Sequence, residues 1–172
     1  SSSRKEVLPY FDKCDALLWY PSHYEGFETN ANVVYTGAAP NQHILPLAHY
    51  MVTHGRKRAF LVGSNYIWAW ENNRIMREAL LAAGGGVAGE RYLPVGDVNL
   101  DDVIAQAIDA RPEFVFNTLI GESAYAFYRG FRARAEAAGI DAAREMPVGS
   151  CSLAEPELAR IGPRAADGHL SS

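Results

Sequence analysis

The stretch Ala59-Phe60-Leu61-Val62-Gly63-Ser64-Asn65-Tyr66-Ile67-Trp68 decides the fold. Its first half is apolar on both faces, as in a buried parallel strand, and a polar turn follows at Ser64. Beyond the turn, apolar residues return at helical spacing and end before Gly84, forming the stripe Ile75, Met76, Ala79, Leu80 and Ala83. A buried strand that leads directly into an amphipathic helix is the repeating unit of an α/β fold.

The same alternation of strand and helix runs through the rest of the chain. It predicts an α/β fold, namely a doubly wound parallel sheet with helices on both faces. The last residues, Gly168–Ser172, are expected to begin a further strand. Asn99 is the expected N-cap of the helix that contains Leu100–Ile108. The candidate helices carry apolar stripes within Ile44–Val52, Ile75–Ala83, Leu100–Ile108 and Ala124–Ala138. The other candidate strands are Ala16–Tyr20, Asn32–Tyr35, Ala59–Gly63, Val87–Leu93, Phe114–Asn117 and Met146–Val148.

Composition excludes several classes of protein. The 172 residues are 48% hydrophobic and 21% charged, which is enough apolar surface for a folded core. The net charge of −4 provides no basic field, so we expect no direct binding of nucleic acid. No apolar run approaches the roughly 20 residues that a membrane span needs, so we expect no membrane insertion. Cys14 and Cys151 are too few for a disulfide scaffold, and two free thiols or one long-range bridge both stay open.

Recognisable catalytic motifs are missing from the chain. The run Gly84–Gly89 fits G-x-G-x-x-G, but it follows a helix and precedes a strand, the reverse of a dinucleotide-binding loop. The nearest approach to a nucleophile elbow, Gly121–Tyr125, lacks the final glycine, and the histidines have no metal-ligand spacing. We therefore expect a binding protein without catalytic residues, metal or cofactor. An amidohydrolase using Cys151 or Ser123, and an interaction domain without a ligand, stay open as alternatives.

Four candidate strands end in loops of hydroxyl, amide and aromatic side chains that contain no Lys or Arg. These loops are Pro21–Phe27, Ser64–Glu71, Thr118–Glu122 and Gly149–Ser152. Because the carboxyl ends of parallel strands meet at one edge of a sheet, we expect these side chains to share a hollow. Such a lining suits a small, polar, uncharged ligand better than a phosphate or a dicarboxylate. The alternative is that these residues only cap the core and the helices.

Three blocks of this sequence resemble the type 1 periplasmic-binding-protein family. They are Tyr20-Pro21-x-x-Tyr24-Glu25-Gly26, Tyr35–Gln42 and Gly63–Trp68, and within the family they are similar to the branch of the AmiC-like amide sensors and the urea-binding proteins of ABC importers. The resemblance implies a two-lobed protein that closes on a small ligand. It also implies that the chain is truncated, with residues 1–37 forming the C-terminal part of lobe 1. Residues 38–172 would then form lobe 2 and end near the return crossover.

The resemblance also implies a set of ligand-binding residues. Where the amide sensor has Thr, Pro and Tyr, this chain has Ser22, His23 and Trp68, which argues against acetamide itself but leaves a small amide-like ligand. The uncharged donors and acceptors of an amide or urea match hydroxyl groups between aromatic walls. The expected ligand-binding residues are Ser1, Tyr20, Ser22, His23, Tyr66, Trp68 and Ser152.

Two roles follow from the resemblance. The first is a cytoplasmic sensor and regulator of amide metabolism that binds short aliphatic amides, urea or related nitrogen compounds and restrains an antiterminator-type regulator. The alternative is a periplasmic substrate-binding component of a urea/amide or branched-chain amino acid type ABC transporter, whose partner would be the permease. A homodimer stays open in either role.

Overall fold

The computed structural model describes residues 3–172 and contains two parallel sheets. The smaller sheet pairs β1 (Leu18–Tyr20) with β2 (Val33–Tyr35). The five strands of the larger sheet are β3 (Arg58–Ser64), β4 (Gly86–Leu93), β5 (Phe114–Thr118), β6 (Val148–Ser150) and β7 (Leu170–Ser171). Their order in the larger sheet is β4-β3-β5-β6-β7. The strand expected near the end of the chain is thus confirmed as β7.

Helices connect these strands and cover both faces of the larger sheet. Along residues 3–172, none of them combines the length and the apolar character required to cross a membrane. The helices are α1 (Arg4–Lys13), α2 (Ile44–Thr53), α3 (Ile67–Ala82), α4 (Asp101–Asp109), α5 (Glu122–Ala137), α6 (Ala142–Glu145), α7 (Glu155–Ile161) and α8 (Pro163–Ala166).

Strand β3 shows why the sheet needs two helical layers. Its side chains alternate between faces, as in any strand. Ala59 and Leu61 pack in one core cluster with residues of α2 and α3, whereas Phe60 and Val62 pack in the other with residues of α4 and α5. A strand that is apolar at every position is stable only when both faces are covered. The prediction of a doubly wound α/β fold is therefore confirmed.

The order of the strands places a crevice between β3 and β5. The chain leaves β3 for β4 on one side and then returns across β3 to β5 on the other, so the connections diverge at the carboxyl ends of β3 and β5. Hydrogen bonds join the two strand ends: the backbone N–H of Ile120 donates to Ser64 Oγ at 3.2 Å, and Thr118 Oγ1 donates to the Val62 carbonyl oxygen at 3.2 Å. This edge of the sheet is where the predicted strand-end loops meet.

One helix was missed, and several element boundaries were predicted wrongly. Helix α1 was not predicted, and β1 begins at Leu18 instead of Ala16 because the Ala16 N–H still donates to Phe11 O in that helix. Strand β6 begins after Pro147, which has no N–H for the ladder. Leu100, not Asn99, is the N-cap of α4, because the Asn99 N–H donates to the Asp97 carboxylate at 2.9 Å in the preceding turn.

Both cysteines are free; Cys14 is exposed and Cys151 is buried.

Candidate functional site

The loop after β1 meets the carboxyl ends of β6 and β7 across a hollow of about 490 Å³. His23 lines it from the first side, and Cys151, Ser152 and His169 line it from the second. Gly37, which follows β2, passes close to the loop after β1. A Cβ on Gly37 would lie 1.9 Å from the Ser22 carbonyl oxygen. Glycine at this position therefore allows the segments that follow β1 and β2 to lie close together.

A stacked histidine pair stands beside this hollow. The rings of His23 and His43 lie 5.3 Å apart at 25°. His43 is buried, and its Nε2 lies 3.3 Å from the Ala38 carbonyl oxygen. Burial, and then the neighbouring His23, lower the pKa of His43 to about 4. His43 is accordingly a neutral imidazole at neutral pH, and it offers hydrogen bonds without a charge.

Two aromatic rings lie at the carboxyl end of β3. Tyr66 ends the turn before α3, and its ring stacks on Trp68 with centroids 6.2 Å apart at 26°. Trp68 is 4% exposed and belongs to the core, whereas Tyr66 is half-buried and faces the crevice. Burial first, and Glu25 second, raise the pKa of Tyr66 to about 12. Tyr66 therefore presents a neutral hydroxyl that can donate a hydrogen bond.

Tyr66 borders a second hollow, of about 270 Å³, whose other wall is ionic. Arg4 from α1 lines it together with Glu25, and Arg4 is only 3% exposed. Its Nη2 donates to Glu25 Oε2 at 2.6 Å, and its Nε donates to Glu28 Oε1 at 3.0 Å. The guanidinium also lies 4.8 Å above the ring of Tyr20. This cation–π contact and the two ion pairs fix Arg4 firmly.

The ion pairs and hydrogen bonds favour the charged forms of Arg4 and Glu28. Burial lowers the pKa of Arg4, but hydrogen bonds to Glu28 and Glu25 outweigh it and raise that pKa above its ordinary value. Burial likewise raises the pKa of Glu28, but hydrogen bonds from Arg4 and Tyr35 outweigh it and lower that pKa. The strand-end loops contain no Lys or Arg, so an uncharged lining was expected; instead, Arg4 brings a cation to the site from α1, beside Glu25 of the loop after β1.

A third hollow, of about 220 Å³, lies at the carboxyl ends of β5 and β6. Ser150 and Ser152 line it, with their Oγ atoms 3.4 Å apart, and Tyr128 reaches it from α5. Ser152 belongs to this hollow and also to the hollow beside His23, so it stands between them. The candidate site therefore consists of two hollows that adjoin at Ser152 and a separate one beside Tyr66.

The structure brings most of the expected ligand-binding residues to this edge. His23 and Ser152 share one hollow, Tyr66 and Trp68 stack on each other, and Tyr20 lies buried beneath Arg4. Ser22 is exposed and, within residues 3–172, lines none of the three hollows described above. Ser1 lies outside the described residues. The roles of all seven residues in binding remain predictions.

The family model for the periplasmic binding protein domain matches residues 1–172. The chain belongs to the periplasmic binding protein family. The expected type 1 fold is thereby confirmed, and the division into residues 1–37 and 38–172 stays a prediction.

Several solved structures share this fold. A substrate-binding periplasmic protein from Ralstonia solanacearum is 18% identical, with a TM-score of 0.79 over 96% of this chain and 46% of that chain. An amino acid ABC transporter substrate-binding protein from Pseudomonas fluorescens Pf-5 is 19% identical, with a TM-score of 0.76 over 99% of this chain and 46% of that one. A putative branched-chain amino acid ABC transporter from Rhodospirillum rubrum is 25% identical, with a TM-score of 0.67 over 81% and 38%. The chain thus spans less than half the length of each.

Proposed function

We propose that the chain is part of the solute-binding component of an ABC transporter and contributes one wall of its ligand cleft. The observation that carries the proposal is the presence of three hollows beside the carboxyl ends of β3, β5, β6 and β7, two of which adjoin at Ser152. Ligands of open parallel sheets bind outside these strand ends. The loop after β1 lies against the same edge, as an opposing lobe would.

The ligand is a small polar nitrogen compound, such as a short amide or urea. The hollows contain uncharged hydrogen-bonding groups, namely the hydroxyls of Tyr66, Ser150 and Ser152. An amide or urea presents both N–H donors and a carbonyl acceptor to such groups. Buried hydroxyls that lose a partner disfavour analogues without these groups, which gives specificity without charge.

The transporter role is better supported than the sensor role. Proteins with this fold include two that are described as parts of amino acid ABC transporters. A solute-binding component would deliver its ligand to a permease, and closure around the segment Thr36–Gln42 would mark the loaded state. A regulator that restrains an antiterminator would use the same closure, but no contact in residues 3–172 favours it.

Calorimetry on the gene product that contains this chain tests the proposal. The panel comprises short aliphatic amides, urea and a branched-chain amino acid. We expect saturable heat from at least one amide or from urea. Binding of the amino acid alone would refute the ligand class while leaving the transporter role. Binding of no member of the panel would refute the ligand class as well.

A further inference from the structure

Another hollow, of about 330 Å³, lies between α5 and the segment that joins α7 to α8. Arg129, Arg132 and Glu136 form its wall on α5, because residues three and four apart share one face of a helix. Arg164 of α8 lies on the opposite wall. We call it the arginine hollow. Within residues 3–172, none of its lining residues lines any of the three hollows of the candidate site, so it is separate from the proposed ligand cleft.

The lining of the arginine hollow has two positive charges in excess. Its charged side chains are three arginines and one glutamate, namely Arg129, Arg132, Arg164 and Glu136. The chain as a whole has a net charge of −4, so the hollow is opposite in sign to the rest of the protein. Asp167 lies just beyond the lining, but it is exposed, and solvent and salt screen its carboxylate. Even if that carboxylate is counted in full, one positive charge remains.

Arg129 and Arg132 are held in place without being neutralised. Arg129 Nη1 donates to the Arg160 carbonyl oxygen at 2.8 Å, at the end of α7. Arg132 Nη2 donates to the Asp167 carbonyl oxygen, at the end of α8. Within residues 3–172, neither Arg129 nor Arg132 forms an ion pair. A carbonyl oxygen orients a guanidinium but brings no negative charge, so both cations still lack a counter-ion.

The three guanidinium groups retain donors for a ligand. A guanidinium has five N–H donors in a planar fork, and the carbonyl bonds of Arg129 and Arg132 each use one nitrogen. Arg132 Nε is buried and has no hydrogen-bond partner, so the fold does not satisfy this group internally. Arg164 pairs with Glu136, but their side chains are 81% and 39% exposed, and such exposed pairs are weak. An oxyanion in the hollow can therefore accept hydrogen bonds from both walls.

We propose that the arginine hollow binds a phosphate group, either as inorganic phosphate or as a phosphate monoester. A phosphate is close to a dianion at neutral pH, which matches the two excess charges of the lining. Its several oxygens accept from guanidinium forks that approach from different sides, and arginine is the preferred partner for such groups. Ile161 and Ala165 are buried and also line the hollow, so an ester would find apolar surface for its organic part.

Calorimetry on the gene product that contains this chain tests the inference with inorganic phosphate, phenyl phosphate and acetate, at pH 8 and one ionic strength. We expect saturable binding of at least one of the two phosphates, and acetate to bind at least about fivefold more weakly. Tighter binding of phenyl phosphate would identify an ester as the preferred form, whereas equal or tighter binding of inorganic phosphate would identify the free ion. Binding of neither phosphate, or acetate binding as tightly as they do, would overturn the inference.

Arginine variants locate the binding. We expect Arg129→Gln and Arg132→Gln each to weaken phosphate binding at least about fivefold, because each removes a charged donor. Arg134→Gln is the control: it removes the same charge from an exposed position of α5 outside the hollow, and we expect it to change the affinity less than about twofold. Equal affinities in Arg129→Gln and Arg134→Gln would overturn the inference. Arg129 is exposed, so this comparison remains possible even if Arg132→Gln does not fold.

The inference is independent of the proposed function, and the two can fail separately. A ligand of the cleft and a phosphate should bind together, since the residues of the two sites do not overlap. Titration of phosphate into protein saturated with a cleft ligand should therefore give the same affinity within about twofold. Complete competition between the two would place the phosphate in the cleft and would overturn the arginine hollow as its site.

Discussion

Arg4→Met should destabilise the protein far more than the same substitution at a comparable exposed arginine. Met retains much of the apolar stem of Arg but removes the charge. In the variant, Glu25 and Glu28 remain 5% and 11% exposed with no cation between them. Breaking a buried ion pair by removal of one partner costs about 3–5 kcal/mol, because the remaining charge is uncompensated. We therefore expect the free energy of unfolding to fall by about 3–5 kcal/mol.

Arg74→Met is the matched control. Arg74 also binds two carboxylates, Glu71 and Glu78, each at 2.8 Å, but its side chain is 35% exposed. Exposed ion pairs contribute roughly 0.2–1 kcal/mol each, so the control should lose at most about 2 kcal/mol. For a chain of this size, about 1 kcal/mol corresponds to roughly 2–4 °C in Tm. Arg4→Met should then lower Tm by roughly 6–20 °C.

Thermal and urea unfolding followed by circular dichroism measure both variants under identical conditions. A third variant, which combines Arg4→Met with Glu25→Gln and Glu28→Gln, removes the uncompensated charge. It should recover more than half of the stability that Arg4→Met loses, since a buried ion pair is often replaceable by neutral groups. Equal losses in Arg4→Met and Arg74→Met, within about 1 kcal/mol, would show that burial does not make the Arg4 cluster costly to break and would refute the reasoning.

Three further results are expected. Gly37→Ala should cost about 1–3 kcal/mol in urea unfolding, because its Cβ would strike the Ser22 carbonyl, whereas Gly86→Ala has open space and should change stability little; equal effects would contradict the crossing geometry. Burial raises the pKa of Cys151 to about 12, so a thiol reagent at pH 8 should label it only after unfolding; rapid labelling of native Cys14→Ser protein would contradict this. The pKa of His43 falls to about 4 on folding. The neutral imidazole therefore contributes its full stabilisation above the ordinary pKa of about 6.5, and this stabilisation is lost as the pH falls toward 4. Near pH 5, His43→Gln should therefore reduce the slope of unfolding free energy against pH by up to about 1.4 kcal/mol per unit, and an unchanged slope would count against the buried neutral imidazole.

The doubly wound sheet could be predicted because its signal is local. Ala59 and Leu61 face one layer of helices while Phe60 and Val62 face the other, and that requirement is written in consecutive residues. The edge that carries the hollows followed from the same reasoning, since parallel strands place their carboxyl ends together. Helix α1 was missed because half of its ten residues are charged and Pro9 lies inside it.

The Arg4 cluster could not be predicted, because its partners are distant in the sequence. Glu25 and Glu28 lie 21 and 24 residues beyond Arg4, and no periodicity connects a helix residue with carboxylates in a later loop. The burial of Trp68 is a similar case: its position after β3 indicated a pocket wall, but its ring belongs to the core and Tyr66 carries the exposed surface of the pair. Which ring of a strand-end pair faces the ligand depends on tertiary packing.

A buried arginine beside a ligand pocket would ordinarily favour an anionic ligand, since guanidinium and carboxylate form strong paired hydrogen bonds. Here the charge of Arg4 is already opposed by Glu25 at 2.6 Å and by Glu28 at 3.0 Å. An incoming carboxylate would have to displace one of these partners, and the displaced carboxylate would remain buried and uncompensated. The aromatic ring of Tyr20 beneath the guanidinium further restricts its movement. The charge of Arg4 is therefore already committed to its two carboxylates, and the cluster serves to order this edge of the sheet.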